Sequence, residues 1–406
     1  MTATQCRLCG GTGLSELIDL GDMPIAHRLK AAADEAEETF PFAVHFCDGC
    51  GLSQIVEPIE PEVLYGGYNY CFSSWKPQPH IADEVALIRS QGPVDSAFEV
   101  GCNDGLFLQA LVDAGIAEAV GLEPNPHAAT RAEERGFSVH MAMLGPDAVA
   151  EVVSRHGRFD VVIARQVLEH LVDIRAFFAA VDGLLADGGR LFIDLPDFSA
   201  GLRIGDVSVL WEEHVSYFTQ QVAYGMLRHF GFRPLATAHY RFSGGTVALM
   251  SERDPAGPDP TALAAAAALH GADAAAFGDK VERYRESLVR SLQAARARGE
   301  RIVLYGVGCR ACTVVNGLGL GGLIDFAVDD QAERQGLFMP GSGLAIRPTD
   351  SLADPPVPTL CLLAVNNEND AKVAAKLDGL LGSKVRSITL LSPADITGEL
   401  GKLAAA

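Results

Sequence analysis

The sequence predicts an α/β protein in which a small zinc-binding module precedes two Rossmann-like domains. Two C-x-x-C pairs lie near the N-terminus, in "CRLC" and "CDGC". An apolar strand enters a glycine-rich turn and then a helix in "AFEVGCNDGLFLQALVDAG" (97–115). The same strand-to-glycine pattern returns in "RIVLYGVG" (301–308). We therefore expect the following segments: a zinc-binding module and junction (1–79), a cofactor-binding domain (80–251), a linker and helix (252–300), and a C-terminal Rossmann-like domain (301–406).

Composition limits the function classes. The chain has 406 residues, 48% of them hydrophobic and 21% charged, so each domain can bury an ordinary core. The formal net charge of −20 repels phosphate backbones, which excludes nucleic acid as the expected partner. We see no N-terminal targeting signal and no apolar run of about 18 residues. We expect a cytoplasmic protein, a monomer or small homo-oligomer, that acts on a small molecule away from membranes.

The four N-terminal cysteines predict a zinc site. Cys6 with Cys9, and Cys47 with Cys50, have the spacing that lets two thiolates reach one tetrahedral ion from a tight turn. Four thiolates close the coordination sphere, so this zinc is structural rather than catalytic. The alternatives are four unrelated buried thiols or a zinc ribbon that binds nucleic acid, which the acidic charge disfavours.

The turn after the first strand of the central domain predicts the cofactor. Glycines there let the backbone approach a ligand, and polar side chains in the turn can bond to it. The next strand, "AEAVGLEP", ends in Glu123, which suits the hydroxyls of a ribose. Glu99 would repel a pyrophosphate but attract a cation, which favours S-adenosylmethionine over NAD; a turn without any ligand is the plainer alternative. The candidate cofactor-binding residues are Glu99, Gly101, Asn103, Asp104, Gly105 and Glu123.

The stretch "WEEHVSYFT" (211–219) follows the predicted fifth strand, at the sheet edge where ligands bind in such folds. His214 can accept a proton there, with Glu213 or Glu212 orienting its ring. Trp211 and Tyr217 are candidate substrate contacts. The alternatives are a structural histidine, aromatic residues that belong to the core, and a helix start. After this stretch we expect a helix in "TQQVAYGMLRHFGF" and then a last strand in "FSGGTVALMSER".

In the C-terminal domain, "YGVGCRA" fits the pattern G-x-G-x-x-A after a strand, with Asp329 some twenty residues on. By motif alone this predicts a second dinucleotide cofactor. A degenerate lobe that only covers the active site is the alternative. Cys309 and Cys312 also form C-x-x-C, but without a second pair we interpret them as ordinary residues of a turn and helix start.

Taken together, these motifs resemble the zinc-containing, S-adenosylmethionine-dependent sugar C-methyltransferases, which methylate C3 of nucleotide-linked 4-keto-6-deoxy sugars. The resemblance covers almost the whole chain, through "CRLCG", "CDGCGLSQIVEP", "LYGGYNYCFSS", "FEVGCNDGLFL", "ARQVLEHLVD", "EHVSYF" and "SGGTVAL". It implies a class I methyltransferase fold with structural zinc. Several positions depart from the family pattern, more of them on the substrate side than on the cofactor side. Trp211 stands where a tyrosine is usual, Gln166 replaces an asparagine at the cofactor side, and an arginine expected after Gly245 is absent.

The resemblance also implies roles for residues. His214 would act as the base with Glu213 assisting it, and His170, Tyr68 and Tyr70 would complete the catalytic set. The C-terminal domain would dock the nucleotide of the substrate, with candidate contacts at Gly306, Gly308, Arg310 and Asp329. We therefore expect C-methylation of a nucleotide-linked keto-deoxysugar through an enolate. The alternatives are an O- or N-methyltransferase acting on another small metabolite, and a non-catalytic zinc-stabilised scaffold.

Overall fold

The structure is a computed structural model that describes residues 5–66, 71, 78–242, 244–353, 357–392, 399 and 401. The residues described in this way form three β-sheets, and the fold belongs to the predicted α/β class. Among the described residues, no helix is both long and apolar enough to cross a membrane.

The first sheet is antiparallel and has four strands in the order β1-β2-β3-β9. Its strands are β1 (Leu14–Pro24), β2 (Thr39–Cys47), β3 (Ser53–Ile55) and β9 (Ser216–Tyr217). The first three follow one another in the N-terminal module, for which the sequence analysis predicted no strands. The fourth comes from "WEEHVSYFT", which therefore adds a strand to this sheet, and the last residue of that stretch, Thr219, caps the start of the helix Gln220–His229.

The central sheet has seven strands in the order β10-β11-β8-β7-β4-β5-β6. They are β4 (Ser96–Val100), β5 (Glu118–Leu122), β6 (Ser138–His140), β7 (Phe159–Arg165), β8 (Leu185–Pro196), β10 (Phe232–Tyr240) and β11 (Thr246–Arg253). The strands from β4 to β8 pair in parallel, and β11 and β10 add antiparallel pairs. The sequence analysis missed β10, an edge strand whose half-buried residues lack a clear apolar alternation.

Helices cover this sheet on both faces, as a doubly wound fold requires. They are Ile81–Ser90, Leu106–Asp113, Pro126–Glu134, Pro146–His156, Ile174–Leu184, Ser199–Ile204 and Gln220–His229. Two more helices, Ala264–Ala275 and Phe277–Ala297, lead to the C-terminal domain. A short helix, Pro61–Leu64, precedes the junction.

The C-terminal sheet is parallel, in the order β14-β13-β12-β15-β16. Its strands are β12 (Arg301–Tyr305), β13 (Phe326–Val328), β14 (Ile346–Arg347), β15 (Thr359–Leu363) and β16 (Val385–Thr389), with helices Cys309–Gly317 and Asp370–Leu381. One apolar core joins all three parts, since Phe42, Leu210 and Leu304 belong to the same buried cluster. This packing brings the C-terminal domain against the N-terminal module and the 211–219 segment.

Candidate active site

The four N-terminal cysteines converge on one point, and their ligand atoms all lie within 4.8 Å of one another. The Sγ atoms of Cys6 and Cys50 are 3.4 Å apart, and those of Cys9 and Cys47 are 3.5 Å apart. Four sulfurs placed about 2.3 Å from a central Zn²⁺ sit at similar separations, so the site fits tetrahedral zinc. Gly10 and Gly51 turn the chain with φ of 74° and 80°, which permits both knuckles.

The predicted cofactor turn follows β4, and its shape depends on two glycines. Gly101 and Gly105 have φ of 69° and 76°, in the region that favours glycine. A Cβ at Gly101 would lie 2.8 Å from Cγ2 of Val167, and one at Gly105 would lie 3.0 Å from Cβ of Ala132. These glycines therefore allow close packing of protein against protein, in addition to the approach of a ligand that the sequence suggested.

Glu123 holds this turn from the end of β5. Its two carboxylate oxygens accept hydrogen bonds from the backbone N–H groups of Asn103 and Asn125, at 2.9 and 2.8 Å. Asn103 itself has φ of 48°, a conformation that non-glycine residues adopt at a cost and that concentrates at functional sites. Each carboxylate oxygen can accept a further hydrogen bond, as a contact with ribose hydroxyls would require. The contact of Glu123 with a ribose stays a prediction.

A cleft opens beside the turn. It is lined by the predicted residues Glu99, Gly101, Asn103, Asp104 and Gln166, together with Gln78, Cys102, Leu106, Phe107 and Arg165. Oε2 of Glu99 is buried and has no hydrogen-bond partner among the described residues. Burial raises the pKa of Glu99 to about 8. A buried carboxyl with one oxygen left without a hydrogen-bond partner fits a cationic ligand, and so fits S-adenosylmethionine.

Sequence reasoning missed Arg165, which lies at the end of β7 under this cleft. Its Nε donates to Glu84 at 2.9 Å, its Nη2 donates to Gln78 at 2.9 Å, and its Nη1 is 4.0 Å from Glu99. With Asp194, which is also buried, three carboxyl groups face one guanidinium. The available signal was an arginine inside the apolar run "FDVVIARQ". The excess of acidic groups leaves room for a positive charge on a ligand.

The turn that carries His214 is built by Tyr217. The hydroxyl of Tyr217 donates to the carbonyl oxygen of Trp211 at 3.0 Å and accepts from the N–H of Trp211 at 3.2 Å. The side chain of Tyr217 is buried, and its hydroxyl bonds to the backbone of this turn. Tyr217 therefore supports the turn, whereas the sequence analysis expected it to contact the substrate. The ring of Trp211 packs on that of His214, with 3.6 Å between centroids.

His170 and His214 meet edge to face, with ring centroids 4.8 Å apart. Nδ1 of His170 lies 2.8 Å from the carbonyl oxygen of Glu213. Since a carbonyl only accepts, Nδ1 carries the proton, and Nε2 presents a lone pair when the ring is neutral. Burial lowers the pKa of His170, which favours that neutral form. Neutral His170 therefore presents an acceptor rather than a donor at Nε2, and its place in the expected catalytic set stays a prediction.

The two glutamates of the stretch are held by residues from other domains. Oε1 of Glu213 lies 3.2 Å from Nδ1 of His27 and 3.7 Å from Sγ of Cys309. Glu212 accepts from the N–H of Ala26 at 2.7 Å, and burial raises the pKa of Glu212 to about 8. Nothing in the sequence pattern pointed to His27 or Cys309, which are far from residue 213 along the chain.

Around the histidine pair, the hydroxyl of Tyr65 lies 3.1 Å from Nδ1 of His170. The expected tyrosines Tyr68 and Tyr70 lie outside the described residues. The pair also adjoins the cofactor turn, because the N–H of His170 bonds to the carbonyl oxygen of Val167, the residue that packs on Gly101.

The C-terminal candidates divide into two groups. Gly308 precedes the helix Cys309–Gly317 and has open space around it, as phosphate docking would need. Arg310 instead is buried, with its guanidinium donating to the carbonyl oxygen of Ser208 at 2.7 Å, so it braces the domain interface rather than facing a phosphate. Asp329 accepts from the N–H groups of Val307 and Gln331, both at 2.9 Å.

These two acceptor bonds show that Asp329 holds the turn itself, where the resemblance implied a contact with the nucleotide of the substrate. Gly306 has φ of 95°, and a Cβ there would lie 2.7 Å from the carbonyl oxygen of Ala364. Close packing against Ala364, just after β15, therefore requires this glycine, and its expected contact with the nucleotide stays a prediction.

Comparisons with known proteins agree with this architecture. Three family models match successive parts of the chain: "Putative zinc binding domain" over residues 6–65, "Methyltransferase domain" over 78–237, and "C-methyltransferase C-terminal domain" over 243–391. C-methyltransferase NovU of Streptomyces niveus is 27% identical over 84% of this chain and 85% of its own length.

Other similarities are confined to one part of the chain. A ubiquinone biosynthesis O-methyltransferase of Methylococcus capsulatus is 35% identical over 24% of this chain and 41% of its own length. The solved structure of N-methyltransferase NodS from Bradyrhizobium japonicum WM9 covers 43% of this chain and 95% of its own, at 19% identity and a TM-score of 0.34. With all three domains matched in order, the chain belongs to the S-adenosylmethionine-dependent C-methyltransferases that carry an N-terminal zinc-binding domain.

Proposed function

We propose that this enzyme methylates the carbon next to the ketone of a nucleoside-diphosphate-linked 4-keto-6-deoxysugar. The observation that carries the proposal is the edge-to-face pair of His170 and His214 beside the cofactor turn. S-adenosylmethionine supplies an electrophilic methyl group on a sulfonium. The acceptor carbon must then lose a proton, and a paired imidazole at the sheet edge is suited to take it.

In this proposal His214 removes the proton on C3, which the C4 ketone makes acidic. The resulting enolate carbon forms the new bond to the methyl group as the bond from methyl to sulfur breaks, and the imidazolium returns its proton to solvent. The contact between Glu213 and His27 fixes the backbone next to His214 and holds the carboxylate of Glu213 in place there. Among the described residues, Tyr65 is the proposed donor to the enolate oxygen. Its hydroxyl lies next to His170 of the histidine pair, and its O–H can donate.

The nucleotide end is proposed to bind at the C-terminal domain. Gly308 leads into the helix Cys309–Gly317, whose first N–H groups point away from the helix and attract phosphate oxygens. Sγ of Cys309 is 3.7 Å from the carboxylate of Glu213. A substrate with its diphosphate at this helix start would thus reach the histidine pair with its sugar.

A deuterium experiment tests the base before any methyl transfer. The protein is incubated in D₂O with the keto-sugar nucleotide and S-adenosylhomocysteine, and exchange at C3 is followed by NMR. We expect exchange with the wild type and with His239→Ala, an exposed histidine bonded to Gln220, and none with His214→Ala. Full exchange by His214→Ala would refute its role as the base.

With S-adenosylmethionine added, mass spectrometry should show one added methyl group, and NMR should place it on C3. A methyl group on oxygen or nitrogen, or methylation of a different acceptor such as a phenol, would replace this proposal by heteroatom methylation. The proposal also fails if no keto-sugar nucleotide is turned over while other small acceptors are.

A further inference from the structure

A second group of metal-ligand residues lies in the candidate active site. One ligand atom each from Glu169, His170 and His214 lie within 4.8 Å of one another. The first two belong to the turn Leu168–His170 that follows β7, and the third belongs to the segment that follows β8. Two imidazoles and one carboxylate form the ligand set of many divalent transition-metal sites with open positions.

Glu169 gives the independent observation. It is 1% exposed, and neither of its carboxyl oxygens has a hydrogen-bond partner among the described residues. Oε1 of Glu169 is 4.0 Å from Nε2 of His170. A buried carboxyl without partners is costly, and burial raises the pKa of Glu169 well above its ordinary value. A bound cation would remove that cost by accepting the carboxylate as a ligand.

His170 is already oriented as a metal ligand. Its Nδ1–H donates to the backbone carbonyl of Glu213 at 2.8 Å, which leaves the lone pair on Nε2. Histidines that bind metals are usually oriented by such a bond from the other ring nitrogen to a carbonyl or carboxylate. The tautomer required for ligation is therefore the one that the protein stabilises.

Two other groupings of this kind among the described residues are less suited. In the group of His27, Glu212 and Glu213, each glutamate already has a protein partner, at 2.7 Å from the N–H of Ala26 and 3.2 Å from His27. In the group of His80, Glu84 and Asp194, Arg165 donates to Glu84 at 2.9 Å, and this guanidinium supplies the positive charge.

We propose that Glu169, His170 and His214 bind one divalent first-row transition-metal ion, at a site separate from the four-cysteine zinc site. Occupation uses the lone pair of His214 that proton abstraction needs, so the bound ion inhibits methyl transfer. The inhibition rests on the proposed function, whereas the binding of the ion does not.

The test uses the full chain with its zinc site loaded, without sugar or cofactor, and Co²⁺ as the probe. We expect one Co²⁺ per chain, with weak visible bands and without the intense charge-transfer absorption of thiolate ligands. Pulsed EPR with Cu²⁺ in the wild type should detect two coordinated imidazoles. Glu169→Gln should weaken Co²⁺ binding by more than about tenfold, whereas Glu212→Gln, a buried glutamate of the neighbouring group, should not.

The EPR measurement uses the wild type, so it tests for metal binding by the two histidines even if Glu169→Gln fails to fold. Absence of a second ion, or a wild-type spectrum without two imidazoles, would overturn the site. Co²⁺ should also lower the rate of C3 exchange, and EDTA at a concentration that leaves the zinc in place should restore it. If Co²⁺ binds with two imidazoles but raises the exchange rate, the site stands and the role of His214 as the base fails instead.

Discussion

Nη1 of Arg7 donates a hydrogen bond to the carbonyl oxygen of Val215 across 2.8 Å, which joins the zinc knuckle directly to the segment that carries His214. Arg7 lies between the zinc ligand Cys6 and the knuckle residue Leu8, and it is 4% exposed. The N–H of Ile55 donates to the same carbonyl oxygen at 3.0 Å. The zinc-binding module therefore shapes the backbone beside the candidate base.

We expect Arg7→Gln to lower both stability and turnover. The substitution removes a buried, charged donor from the carbonyl groups of Val215 and Ile55, at a cost of about 1.5–3 kcal/mol per lost bond. Urea unfolding and steady-state rates measure the two effects. Arg233→Gln is the control, because its exposed ion pair with Glu252 should contribute about 0–1 kcal/mol. Unchanged turnover in folded Arg7→Gln would contradict the coupling.

Removal of zinc should loosen the active site as well as the module. Structural zinc sites hold their folds together, and β9 is paired with β3 of that module through Ser53 and Tyr217. After chelation we expect faster hydrogen exchange in residues 211–219 together with 39–55, measured by mass spectrometry. Strand β15 (Thr359–Leu363), an interior strand of the C-terminal sheet, is the internal control. If residues 211–219 exchange hydrogen as slowly without zinc as with it, the active-site segment does not depend on the zinc site.

Glu99 should make cofactor binding depend on pH. Its pKa is about 8 in the cofactor-free fold, mainly because of burial, with Arg165 opposing the shift and Glu123 adding to it. A cationic ligand prefers the carboxylate form, so affinity for S-adenosylmethionine should rise between pH 6 and about 8. Calorimetry should show proton release on binding. Glu99→Gln should bind more weakly with little pH dependence, whereas Glu118→Gln, at the half-exposed start of β5, should resemble the wild type.

The stability of the free protein should change in the opposite direction. Folded Glu99 holds its proton up to about pH 8, whereas an unfolded glutamate loses it near ~4.3. The folded chain binds more protons in this window, so the free energy of unfolding decreases as pH rises. Replacement by glutamine should flatten that slope by up to ~1.4 kcal/mol per pH unit. Equal slopes in urea unfolding of the two proteins would show that Glu99 does not titrate this way.

Local patterns were enough for part of the site. The C-x-x-C spacing identified Cys6, Cys9, Cys47 and Cys50, because a zinc knuckle is a local turn. The strand and glycine turn around Gly101 identified the cofactor edge for the same reason. His214 could be placed because parallel strands end at one edge of a sheet. Each of these inferences uses residues that are close along the chain or follow a fixed fold rule.

Long-range partners could not be predicted in this way. His27 meets Glu213 across 186 residues of sequence, and Arg310 meets Ser208 across 102. Hydrophobic periodicity carries no information about which distant polar groups become neighbours. The same holds for Arg165, whose burial among three acids depends on the helix Ile81–Ser90 packing near β7.

By itself, the sequence determined the four-cysteine zinc site and the α/β class, and it predicted the sheet edge of the candidate active site, since these follow from short-range spacing and strand order. Only the tertiary structure decided that the 211–219 segment completes the sheet of the zinc-binding module, and that Tyr217, Arg310 and Asp329 support the framework. The reason is physical: a buried polar group must find a partner, and which partner it finds depends on how distant segments pack.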